Sequence, residues 1–255
     1  RALDDAHARV DEDAAVMNSC RHVRAMDEEL TRAEHAKRVS DGDALRALVR
    51  ALSDGVSGMV DSTMLRRRAT ILDATSIAEA RRLSVRMWNF AIEKTALATH
   101  AASGKITDAS LVAPLLSVRA LSCELMDRAL GYPDAMRGRA SVADVVTAML
   151  NHTTVATLLY DDERFKDAEE QFLMMESYGN YIVNERYELD DEALLRVFEA
   201  MTTRAKNAFR MGNVDNARDF FQAAAQYFQS RNTQHVGGGS AHEVSENDAI
   251  CAMTL

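Results

Sequence analysis

FRMGNVDNARDFFQAAAQYF, residues 209–228, decides how the chain is read. A Gly-Asn break at 212–213 divides two helical runs, one ending near Met211 and the next starting near Val214. Glycine enters the left-handed backbone region without a Cβ penalty, and asparagine tolerates it, so such a pair ends one helix and releases the chain into another. Alanines then recur through the second run. They serve as helix filler, or as the small residues that let two helices lie close together.

A second stretch favours the close approach. ATLLYDDERFKDAEEQFLMM and AKNAFRMGNVDNARDFFQAA align on Ala168 and Ala217. Each has an alanine twelve positions earlier, Ala156 or Ala205, and an aromatic eight earlier, Tyr160 or Phe209. Phe165 or Val214 stands three before the anchor, Phe172 or Phe221 four after it, and Met175 or Ala224 seven after it. The agreement runs across two helices and their turn. Two antiparallel helices approach closely only where small side chains occupy the crossing, which pairs Ala156 with Ala168 and Ala205 with Ala217.

Composition supports a helical chain. The 255 residues include two prolines and 11 glycines, so helix breakers are scarce, and the expected class is all-α. Thirty Lys and Arg against 39 Asp and Glu give a formal charge of -9, which disfavours direct nucleic-acid binding. Arg66, Arg67 and Arg68, with Arg81, Arg82 and Arg86, read as solvated helix faces. Cys20, Cys123 and Cys251 lie far apart without CxxC spacing, as in a reducing, cytoplasmic or nuclear compartment. The best apolar run, SLVAPLLSVRALS, is broken by Arg119, so no membrane association is expected.

Residues 1–75 read as weakly patterned helices belonging to the same array. Leu3–Val39 is one long exposed helix or a two-helix hairpin, Asp41–Leu52 a short helix followed by a stretch that Gly55 and Gly58 punctuate, and Thr63–Ala74 another short helix. Residues 76–230 hold the patterned repeats. Ser76 with Glu79 and Ser141 with Asp144 have the spacing of capping boxes. The expected helices run from Ser76 to Ala102, from Thr107 to Gly131, from Ser141 to Tyr160, from Glu163 to a stop at Gly179, from Asp190 to Met211, and from Val214 to Gln229. Ile77, Ala80, Leu83, Met87, Ala91 and Lys94 share a face of the first. Residues 231–247 read as a flexible Gly-rich loop, and residues 248–255 as the start of a further helix, as an excerpt of a longer array would end.

The two aligned segments resemble the tetratricopeptide repeat, a helix-turn-helix unit with a small residue in each helix at this separation. The anchors are 49 residues apart, against about 34 in the standard repeat, and neither unit has its closing proline. The resemblance implies an α-α solenoid of degenerate, long-helix hairpins. ARRLSVRMWNFAIEKTA followed by LSVRALSCELMDRAL resembles the meiotic crossover scaffolds of the Zip-four and Spo-twenty-two type, whose Leu-Trp-Asn-like segment is matched by Met87, Trp88 and Asn89. That resemblance implies a scaffold in the nucleus beside chromosome axes, with other chromosome-associated proteins as partners. A general adaptor in trafficking or signalling is the alternative, and an all-helical enzyme whose catalytic residues are not recognised in the sequence is a further one.

A solenoid of this kind binds protein segments along the surface lined by its first helices. Counting back from the anchoring alanines puts Thr153, Thr157 and Tyr160 there from one unit and Glu199, Thr202, Lys206 and Phe209 from the next. Chaperone adaptors carry a Lys/Asn/Arg clamp on this face. The threonines, with Lys206, stand in its place, so chaperone-tail recognition is not expected. Dispersed histidines and the lack of a phosphate loop or nucleophile elbow point to a non-enzymatic protein without metal or cofactor. Asp161, Asp162 and Glu163 fall at a helix junction, where carboxylates favour the positive end of the following helix.

Overall fold

The computed structural model describes residues 2–35, 42–59, 74–98, 109–131 and 140–235. Among them the protein is all-α, with eight α-helices: α1 (Ala2–His35), α2 (Gly42–Gly58), α3 (Ala74–Ala98), α4 (Val112–Leu130), α5 (Val142–Asp161), α6 (Phe165–Asn184), α7 (Asp191–Arg210) and α8 (Val214–His235). The chain divides into two compact units, residues 1–148 and 149–255, with the border inside α5.

In the first unit α1 packs on α2, α3 on α4, α1 on α3 and α2 on α4, so two hairpins close a ring around one core. Val23, Met26 and Leu30 come from α1, and Leu45, Leu48, Leu52 and Val56 from α2 at spacings of three and four. Ala80, Leu83, Met87, Phe90 and Ala91 come from α3, and Leu115, Val118, Leu125 and Ala129 from α4. The face expected from α3 is thus its inner face, joined by Phe90. Ile77 and Lys94 at its ends are only half-buried.

Small residues set the close approaches. A methyl at Gly55 would lie 2.3 Å from Met26 Cγ, so this glycine, expected as a break, instead admits the α1 side chain inside a continuous helix. At the α3/α4 crossing Ser84 Oγ donates to the Ser122 carbonyl at 2.9 Å, and Ser122 Oγ donates to the Ser84 carbonyl at 2.8 Å. Both serines are fully buried, and each hydroxyl is satisfied by the opposite backbone. Ionic ties reinforce the ring. Arg86 of α3 reaches Asp27, Glu34 and the Thr31 hydroxyl of α1, and Arg81 pairs with Asp144. These arginines, expected as merely solvated, bridge helices, while Arg66, Arg67 and Arg68 lie outside the described residues.

The second unit is a series rather than a ring. α6 packs on α7 and α7 on α8, while α5 meets α6 through side chains: His152 Nδ1 lies 2.8 Å from Gln171 Oε1, and its ring stacks on Tyr178 at 5.6 Å. The two within-pair turns have the same hydrogen bonds. After α5, the N–H groups of Asp162, Glu163 and Arg164 bond the carbonyls of Leu158, Tyr160 and Leu159, and Ala168 N–H bonds the Arg164 carbonyl. After α7, Met211, Gly212 and Asn213 bond Asn207, Phe209 and Ala208, and Ala217 bonds Asn213. Every donor and acceptor is displaced by the same 49 residues that align the sequences. Each turn is a Schellman motif, with Glu163 at φ 59° and Gly212 at φ 81° in the left-handed position. A third such turn ends α6 at Arg186, φ 58°, and leads into Asp190, whose carboxylate accepts the Ala193 N–H at 2.8 Å and caps α7.

Several boundaries differ from expectation. α1 is a single helix to His35, and α2 continues past Leu52 to Gly58. Ser76 lies inside α3, which already includes Ala74, so it is not the cap. A 3₁₀ turn at Ala109–Leu111 precedes α4 within the stretch expected to be helix, and the expected start at Thr107 lies outside the described residues. Ser141 does cap α5, its Oγ accepting the Asp144 N–H at 3.2 Å, and Gly131 ends α4 in the left-handed conformation. α6 passes through Gly179 to Asn184, held by buried Tyr178 and Ile182 on either side of the glycine. α8 runs to His235, so residues 231–235 are helical rather than loop. The expected helices at 63–73 and 248–255, and the loop from 236, lie outside the described residues.

Candidate functional site

The site is built on α7, whose buried face fixes what its other face presents. Ala193, Ala200, Ala205 and Ala208 are buried along that face, and Arg204 and Asn207 lie among them. Arg204, only 8% exposed in its side chain, donates Nε and Nη2 to Glu169 Oε1 at 3.0 and 2.8 Å and Nη1 to Glu176 Oε2 at 2.8 Å. Its guanidinium lies over the Phe220 ring of α8, 4.2 Å from the centroid. Asn207 Nδ2 donates to the Phe165 carbonyl at 3.0 Å. Two polar side chains therefore tie α7 to α6, and one of them also to α8.

Neither residue stood out in the sequence. The signal was present, because Arg204 has alanines four residues to each side and so belongs to the small, inward-facing stripe. An arginine there must be paired or be displaced.

The opposite face of α7 is open. Leu195 is 56% and Phe209 63% exposed, and Glu199 and Lys206 between them are exposed as well. With Thr202 these residues fall within an arc of about 100° at helical spacing, over a length of about 21 Å. Neither Glu199 nor Lys206 has an ion-pair partner among the described residues. Thr202 is half-buried, and its hydroxyl donates to the Glu199 carbonyl at 2.8 Å. Val214 is exposed at the turn, and Met211, also exposed, places its sulfur 3.7 Å from Asn207 Nδ2 on the locked side. Val214, expected to pack within its hairpin, is 60% exposed, because the tight Schellman turn places the first residue of α8 outside the crossing. The remaining packing positions, Ala156, Ala168, Phe172, Ala205, Ala217 and Ala224, are buried, while Phe165 and Phe221 are half-buried.

The matching face of α5 is different. Thr153 is buried with its hydroxyl on the Met149 carbonyl at 2.9 Å, and Thr157 bonds the Thr153 carbonyl at 3.1 Å. Tyr160 is half-buried, its ring 5.8 Å from Phe165. Thr153 therefore offers nothing to a groove, while Thr157 and Tyr160 are half-buried, as Thr202 is. Thr147, which is exposed, and Thr154, which is half-buried, likewise return their hydroxyls to carbonyls four residues back. α5, rather than the 110–122 run, is the described helix long and apolar enough to cross a membrane by length and composition, and 44% of its apolar window is buried inside the protein.

Buried reactive groups are committed to structure. Burial pushes the Cys123 thiol well above its usual range, with Asp127 adding to the shift. Arg119 lies over the Trp88 ring at 5.4 Å, and desolvation lowers its pKa from the ordinary value. Arg86 is shifted upward, chiefly by its hydrogen bond to Glu34. Met87 is buried, Trp88 half-buried and Asn89 exposed, so that triplet straddles the edge of the first core. Among the described residues no three His, Cys, Asp or Glu side chains gather where they could hold a metal ion. In comparison with known proteins, no family model matches the chain, and no curated protein or solved structure matches it.

Proposed function

We propose that the protein is a non-enzymatic helical-repeat scaffold, an α-α solenoid of long tetratricopeptide-like hairpins, that binds protein segments on the open face of α7. One observation carries this reading: Leu195 and Phe209 remain exposed on a helix whose other face is locked by Arg204 and Asn207. Large apolar side chains on a rigid helix face are what an amphipathic partner segment recognises. The recurrence of the turn hydrogen bonds at an interval of 49 residues supports the repeat reading, since stacked copies of one unit extend such a face.

Within this class the meiotic crossover scaffolds are the family we favour, on the resemblance carried by Met87, Trp88 and Asn89 and the helix that follows. Chromosome-associated proteins in the nucleus would then be the partners. His152, paired with Gln171, and Cys123, held as a neutral thiol, supply no free base or nucleophile, which favours binding over catalysis.

The test is selection of helical peptides from a displayed library by the full chain. Enriched peptides should slow amide exchange in α7, and Leu195→Asp combined with Phe209→Asp should abolish their binding while leaving the melting temperature unchanged. Peptides that bind the double variant as well as the original chain would sink the proposal.

A further inference from the structure

The open face of α7 is complementary to itself when reversed. Asp191, Glu192 and Glu199 occupy its N-terminal half, and Lys206 and Arg210 its C-terminal half, all exposed. Thr202 lies at the centre, with Leu195 seven residues before it and Phe209 seven after it. Arg196 lies at the edge of the arc and is engaged by Glu192 at 2.7 Å.

We infer that this face pairs with the same face of a second copy of the chain, antiparallel about Thr202. Reversing one helix about that residue sets Leu195 against the partner's Phe209 and Phe209 against the partner's Leu195. Glu199 then falls within one residue, about 1.5 Å of rise, of the position opposite the partner's Lys206, and Glu192 lies near the partner's Arg210. A two-fold contact of this kind is isologous, with each pair made twice. Parallel pairing would instead place Glu199 on Glu199 and Lys206 on Lys206, so charge selects the antiparallel register. The inference rests on the reading of this face as a protein-binding surface and names its occupant.

The contact is small, one helix face wide, so the pairing is weak and reversible rather than obligate. The chain's formal charge of -9 opposes approach at long range, but at physiological salt that repulsion is screened beyond about 8 Å, leaving the contact pairs to decide.

Sedimentation equilibrium of the full chain at physiological salt, from micromolar to millimolar concentration, tests the pairing. The original chain should show a monomer-dimer equilibrium. Glu199→Lys alone and Lys206→Glu alone should each weaken association at least about tenfold, because each brings like charges together twice. The double variant Glu199→Lys with Lys206→Glu should return to within about threefold of the original, since both contacts are restored with their signs exchanged. Both side chains are exposed, so all variants should share one melting curve. A chain that is monomeric at every concentration, or a double variant as weak as the singles, overturns the inference. Such a result would leave peptide binding at Leu195 and Phe209 standing, because that binding is read separately.

Discussion

The two units solve the same problem, how to bring helices close, in different ways. In the first, four helices share one core rich in leucine, methionine and valine, and the α3/α4 crossing is made by Ser84 and Ser122. In the second, helices pack in succession, alanines make up most of the buried face of α7, and a buried arginine ties α7 to both α6 and α8. A shared core spreads the effect of a lost side chain over all its helices, while a series confines it to neighbours. The contrast also explains where the candidate site lies, because α7, locked on both flanks within a series, can leave a third face uncovered.

The sharpest way to break this contrast is Leu52→Ala. Leu52 is fully buried, and its truncation should cost about 3 kcal/mol, from lost transfer energy and the cavity left behind. Trp88, the single tryptophan, belongs to the same unit and should report a lower urea midpoint in fluorescence. Hydrogen exchange should accelerate in α1, α2, α3 and α4 together. Acceleration confined to α2 would mean that the first unit is also a series of separate interfaces.

Arg204→Ala probes the second unit at its clasp. It removes the partner of two carboxylates and the cation over Phe220, and because Glu169 and Glu176 are partly exposed the loss should be about 2 kcal/mol, below the range for fully buried pairs. Exchange should quicken in α6, α7 and α8 near the clasp. Arg204→Met should recover part of the loss, since an apolar side chain of similar length fills the space without needing a partner. A change below about 0.5 kcal/mol for the alanine variant would remove Arg204 from any account of how α7 is held.

These two residues also mark what the sequence made legible. Leu52 was visible within a short helix, and the alignment on Ala168 and Ala217 located the two matching turns of the second unit. Arg204 was only half visible, since Ala200 and Ala208 place it on the inward-facing stripe but nothing in the sequence shows the two carboxylates folded over it. Ser84 and Ser122 were hidden for a related reason: serine is scored as polar, and only the facing backbone reveals that each hydroxyl is spent across the crossing. Spacing identified the outward stripe of α7, but the same spacing on α5 led to threonines whose hydroxyls close on their own helix.

A double-mutant cycle on the serines sharpens the comparison of crossings. Ser84→Ala and Ser122→Ala should each cost about 1 kcal/mol, the net worth of one hydrogen bond. Their hydroxyls also lie 3.2 Å apart, so the double variant should cost less than the sum. It would then leave a crossing of two alanines, the pairing the sequence predicts for the second unit. Additive losses in chemical denaturation would show that the hydroxyls act independently.

The finest comparison is between the two copies of one turn. Glu163 and Gly212 occupy the same left-handed position with the same hydrogen bonds, yet only one is glycine. A left-handed non-glycine residue bears about 1 to 2 kcal/mol of strain, while glycine costs about 0.4 to 1 kcal/mol through the freedom it gives the unfolded chain. The difference predicts a gain of about 0.5 to 1 kcal/mol for Glu163→Gly and a loss of similar size for Gly212→Ala. No atom lies within 4 Å of where a methyl on Gly212 would sit, so that loss isolates the backbone term from any clash. Melting temperatures should move in opposite directions for the two variants. If both fell, the Glu163 side chain would be stabilising its turn by more than the strain it imposes, and the two hairpins would share a backbone without sharing the reason for it.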